Sequence, residues 1–86
     1  MTPKQKRLAR HAIGLPNARN ISYRNRFVCS FAPGDYDQWI DMLEAGLADA
    51  MPLKSSDMFR RFWLTPEGAK VALEPGERLD PEDFPE

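Results

Sequence analysis

The sequence predicts an α+β domain of three short helices and a small antiparallel sheet or hairpin, in the order helix, short strand, helix, hairpin, helix. Three observations carry this. Thr2-Pro3 and Thr65-Pro66 each set a capping hydroxyl before a proline, which leaves no N–H unpaired in a first helical turn. Tyr36, Trp39, Ile40, Leu43 and Leu47 recur at helical spacing, and residues 58–64 are dense in aromatic side chains that favour a strand. A chain of 86 residues buries only about 60 to 70 per cent of its unfolded surface, so the core is small. An apolar content of 42% with nine aromatic residues still argues against wholesale disorder.

The first helix begins at residue 3, with Thr2 and Gln5 as the two halves of a capping box, and stops near Gly14-Leu15-Pro16. Its apolar side is Leu8, Ala12 and Leu15, and its outer side is Lys6, Arg7 and Arg10. Residues 16–26, with Pro16, three Asn and three Arg, read as a basic irregular connection. Phe27, Cys29 and Phe31 alternate with Val28 and Ser30 in a short extended segment closed by Pro33-Gly34.

Asp35 and Gln38 suggest a second capping box opening a helix over residues 35–48, whose outward face is Asp37, Asp41, Glu44 and Ala48. Residues 51–57 form a turn region with a short strand around Leu53. The alternation in 58–64 is imperfect, which indicates a bulge or burial on both faces. A third helix follows Thr65-Pro66 and docks by Ala69, Ala72 and Leu73. The domain thus spans residues 1–73. Residues 74–86, rich in proline and acid, read as an extended or disordered tail.

Charge is divided sharply along the chain. The first 34 residues hold seven Lys and Arg and no acid, while all 13 Asp and Glu lie in the other 52, so a net charge of -1 conceals a dipole. A one-signed patch concentrates ligands of the opposite sign. Lys6, Arg7, Arg10, Arg19, Arg24 and Arg26 are the candidates for nucleic-acid contact, with Tyr23 able to stack on a base. The plainer account is a solvated basic surface, or one neutralised by the acidic part of the same chain.

Leu43-Glu44-Ala45-Gly46-Leu47, Phe62-Trp63-Leu64-Thr65 and the stretch from Gly68 to Leu73 resemble the wing region of MarR-type winged-helix regulators. That resemblance implies a helix ending in a leucine-glycine-leucine turn, a two-stranded wing, and a small winged-helix-like domain. In such regulators the helix before the wing enters the major groove. Here its counterpart presents Asp37, Asp41 and Glu44, which repel phosphate, so groove reading does not transfer to residues 35–48. With His11-Ala12-Ile13-Gly14-Leu15 and Ser22-Tyr23-Arg24-Asn25-Arg26-Phe27 included, the chain resembles small proteins encoded in phages and prophages, which implies a setting rather than an activity.

Catalysis finds little support. One His and one Cys, 18 residues apart, accompany no nucleophile motif. His11 suits the dipole at a helix C-terminus, and Cys29 suits a small buried hydrophobe. Two candidate ligands fall short of the four a structural zinc requires. Asp80, Glu82, Asp83 and Glu86 lack the spacing of an EF-hand loop, and the five glycines are isolated at caps and turns. No cofactor or metal is expected.

A single cysteine and the absence of a long apolar run indicate a soluble protein of a reducing cytoplasm, without a membrane partner. The function expected is non-enzymatic binding and regulation, with nucleic acid as one partner class. The alternative is a protein-interaction module, engaging a host or phage protein or mimicking nucleic acid, through Asp37, Asp41, Glu44 and an apolar anchor at Phe84. If the domain associates with itself, a two-fold homodimer is the form expected, because head-to-tail contacts lead to open chains.

Overall fold

A computed structural model describes residues 1–85, and its first element begins at the expected cap. The Thr2 hydroxyl accepts from the Gln5 N–H at 3.1 Å while the Gln5 side chain accepts from the Thr2 N–H at 3.0 Å. Helix α1 then runs Pro3–Ile13 and ends at Gly14, whose φ of 84° is left-handed. The Tyr23 ring lies where a side chain at this position would project, so glycine is required twice over. The remaining elements are β1 Phe27–Ser30, α2 Asp35–Glu44, β2 Ala48–Ala50, β3 Phe59–Leu64 and α3 Pro66–Ala72.

The three strands form one antiparallel sheet in the order β1-β3-β2. Ala9, Ala12 and Ile13 from α1, Trp39 and Met42 from α2, and Ala69 and Ala72 from α3 are all buried with Cys29, Ala48, Phe62 and Leu64 of the sheet. At the centre, the Trp39 ring stands 5.2 Å from Phe27 and 5.4 Å from Phe62, centroid to centroid. Offset aromatic packing of this kind adds to the burial itself.

The second helix is shorter than its periodicity suggests. Its N-cap is Gly34, one residue before Asp35, and the box partner is Asp37, which accepts the Gly34 N–H at 3.4 Å. It stops at Glu44 because Gly46, with φ 77°, turns the chain so that the Gly46 and Leu47 N–H groups bond back to Leu43 and Met42. Ala48, expected to end the helix, instead opens β2, which pairs with β3. The expected strand around Leu53 is therefore displaced to Ala48–Ala50.

Strand β3 carries no bulge. Its register is continuous, and the break in apolar alternation is Arg60, whose side chain turns inward to donate to the Met51 carbonyl at 2.8 Å and the Tyr36 hydroxyl at 3.3 Å. Helix α3 crosses close to the α2–β2 turn, where a Cβ on Gly68 would overlap the Leu47 carbonyl.

Residues 74–85 are docked, where an extended or disordered tail over 74–86 was expected; residue 86 lies outside the described residues. Ser22 and Arg78 share backbone bonds with a parallel bridge at Ile21–Arg78, and buried Ser22 accepts the Asp80 N–H at 2.8 Å. A turn at Asp80 then folds Phe84 inward until it is only 7% exposed. It lines one pocket with Ile21, Leu73 and Leu79. The low apolar content of this segment concealed the fact that polar bonds, together with the one buried ring of Phe84, hold it. No helix is long and apolar enough to cross a membrane among the described residues.

Candidate functional site

The basic surface begins in helix α1 and the connection behind it, but much of its charge is spent internally. Arg10 lies across the C-terminal end of α3, donating to the Ala72 carbonyl at 3.0 Å and pairing through both terminal nitrogens with Glu77, at 2.7 Å for one arm. The hydrogen bond from Arg10 holds the Glu77 carboxyl below its ordinary range, and the same bond raises Arg10 further. Lys6 pairs with Glu74 at 2.8 Å and Lys4 approaches Asp35 at 3.9 Å. Each of these three pairs joins the acid-free N-terminal stretch to the acidic remainder. Arg10 is therefore removed from the candidate contact residues, and Lys6 is half committed.

Arg24 is divided between two roles. Its guanidinium donates to the His11 carbonyl at 2.8 and 3.3 Å, closing the end of α1, and lies 5.2 Å from the centre of the exposed Tyr23 ring. Arg7, Arg19 and Arg26 are exposed and have no side-chain hydrogen bond or ion pair among the described residues. Arg19 sits apart, on the turn after Asn17. His11, Arg24 and Arg26 meet Phe27 and Val28 around one shallow cleft beside β1, with the His11 ring edge-on to Phe27 at 5.6 Å. No carboxylate lines that cleft among the described residues.

Arg26 also belongs to the sheet. Asn25 extends the ladder beyond β1 by its side chain, which accepts the Leu64 N–H at 2.8 Å and donates to the Leu64 carbonyl at 3.0 Å. Since Phe27 pairs with Phe62, this places Arg26 opposite Trp63. Val28 pairs with Arg61 and Ser30 with Phe59, so these side chains share the face turned away from the helices. On the other side of β3, Asp49 pairs with Trp63, and the Met51 N–H bonds to the Arg61 carbonyl. Phe59 and Val28 are 55% and 59% exposed. Phe59, Arg61, Trp63 and Val28 lie outside the residues that charge along the sequence singles out; the alternation within Phe59–Leu64 is the signal that marks them.

Asp37, Asp41 and Glu44 lie exposed along α2, whereas Phe84 is folded into the docked tail and is no longer an exposed anchor. Burial, with Asp35 adding to it, pushes the Cys29 thiol up, which suppresses the nucleophilic thiolate. Among the described residues no group of three or more His, Cys, Asp or Glu is placed to hold a metal ion. No protein-family model, curated protein or solved structure matches the chain.

Proposed function

We propose that this is a non-enzymatic binding and regulatory protein that contacts nucleic acid through the basic surface around β1, in a phage or prophage setting. The observation that carries the reading is the convergence of His11, Arg24 and Arg26 at a cleft without a carboxylate, beside the exposed Arg61 and Arg7. Cations left unpaired after the internal ion pairs have formed are the ones free to displace counterions from a phosphate backbone. The element order and the β1-β3-β2 sheet support a reduced winged helix, with residues 51–58 as the wing. Nucleic acid would then approach β1 rather than the acidic helix α2.

Binding of fluorescent duplex and single-stranded oligonucleotides over a series of salt concentrations tests this. Affinity should fall steeply with salt, and Arg26→Ala should weaken it with unchanged melting, since the Arg26 side chain has no partner among the described residues. Arg24→Ala confounds binding with helix capping and is the poorer probe. An absence of binding at low salt would overturn the reading.

A second reading rests on α2, where Asp41 and Glu44 are exposed without an ion-pair partner among the described residues. Such a face suits a basic host or phage protein or a mimic of nucleic acid. Loss of a captured partner on Asp41→Lys with Glu44→Lys would distinguish it.

A further inference from the structure

We infer that the open face of the sheet is a stacking platform for single-stranded nucleic acid, with Trp63 and Phe59 as the stacking rings and Arg26 and Arg61 as the cations beside them. This rests on the nucleic-acid reading and specifies the kind of strand bound. Phe59, Arg61 and Trp63 alternate along the central strand, so an arginine stands between two aromatic rings, at about 7 Å from each along the backbone. The cross-strand partners complete the surface. Arg26 lies opposite Trp63, Val28 and Met51 flank Arg61, and Ser30 lies opposite Phe59.

The helices pack on the other face, with Phe62 and Leu64, and leave this one with Phe59 more than half exposed. Bases in a duplex hide their π faces against one another, whereas unpaired bases offer them to aromatic side chains. A strand laid along β3 would place bases over the two rings and its phosphates against Arg26 and Arg61. Asp49, opposite Trp63 on the β2 side, is the one carboxylate on these rungs and confines the backbone to the β1 side. That side is also where the His11, Arg24 and Arg26 cleft lies. A second copy of the chain is a poorer occupant. Two-fold pairing of this face would bring Arg61 of each copy into an interface with little counter-charge.

The test is titration of the full protein with a short oligothymidylate and with a duplex of equal length, read by tryptophan fluorescence and by anisotropy of the labelled strand. Trp39 is fully buried, so quenching on contact reports Trp63. The expected result is tighter binding of the single strand, with quenching, and about a tenfold loss of affinity in Phe59→Ser. Phe59 is exposed enough for that variant to melt like the parent. Trp63→Phe should keep most of the affinity and abolish the quenching.

Binding that is lost in Arg26→Ala but unchanged in Phe59→Ser, or that favours duplex without quenching, overturns the platform and leaves the nucleic-acid reading standing. No binding of either probe at low salt overturns both. Concentration-dependent self-association abolished by Phe59→Ser, without oligothymidylate binding, assigns the face to a second copy and likewise overturns the platform.

Discussion

Arg10 and Glu77 stand 67 positions apart and meet as a two-pronged ion pair whose side chains are only 13% and 6% exposed. The pair does more than neutralise charge. Arg10 also accommodates the Ala72 carbonyl at the end of α3, and Glu77 accepts the Glu74 N–H at 2.7 Å, so one contact closes a helix and anchors the returning tail. Glu77→Gln should cost about 2 to 3 kcal/mol in urea denaturation, because it leaves a guanidinium with one charged partner fewer. Arg10→Lys should fail to restore stability, since an ammonium cannot make both arms at once. A parent-like midpoint for either variant would show that the pair is ornamental.

The same pair sets a pH dependence. Glu77 titrates below its unfolded value, so its stabilisation is complete above the ordinary glutamate pKa of about 4.3 and is lost as pH falls through the lower folded value. Parent and Glu77→Gln should differ most near neutrality and converge in acid. Urea midpoints measured at descending pH would reveal this, and a constant gap would contradict it.

Docking of the tail makes a third expectation. Phe84→Ala should cost about 3 kcal/mol, near the lower end for removing a buried aromatic ring. Truncation after Leu73 removes the partners of Asn20, Ser22 and Arg10 together, and should broaden or abolish the melting transition. A truncated chain that melts cooperatively at the parent temperature would show the tail to be dispensable.

Trp39 stacks on Phe62 and packs against the tilted ring of Phe27 with no solvent exposure, and Trp39→Ala should cost about 3 to 5 kcal/mol. Trp39→Phe should cost markedly less. Its indole N–H is buried without a hydrogen-bond partner among the described residues, so removing it recovers part of the lost packing. Thermal melts of the two variants, compared side by side, would decide this.

What the sequence disclosed was what is local. Thr2 and Thr65 cap helices because the residues they bond are three positions away. The end of α2 was less visible: Leu47 and Ala48 continue a helical period, yet Gly46 turns the chain before them, and the tertiary bond from the Thr65 N–H to the Leu47 carbonyl holds the segment after the turn. The docked tail was invisible for a related reason, since Ser22, Arg10 and Glu77 are polar residues whose partners lie about 60 positions away. For the candidate site, charge was legible and pairing was not. Arg10 and Arg26 look alike as letters, yet one is enclosed by Glu77 and the other stands free opposite Trp63.

Asn25 contributes something different from stability. By giving both its amide groups to the Leu64 backbone, it ties the chain before β1 to the end of β3 in a single register. A slip of a single residue would turn Phe27 and Cys29 to solvent and bring Val28 and Ser30 onto the core, inverting the strand. The amide therefore fixes which of its two faces the edge strand turns to the core. Its loss would be seen less as a lower melting temperature than as a chain with two coexisting forms.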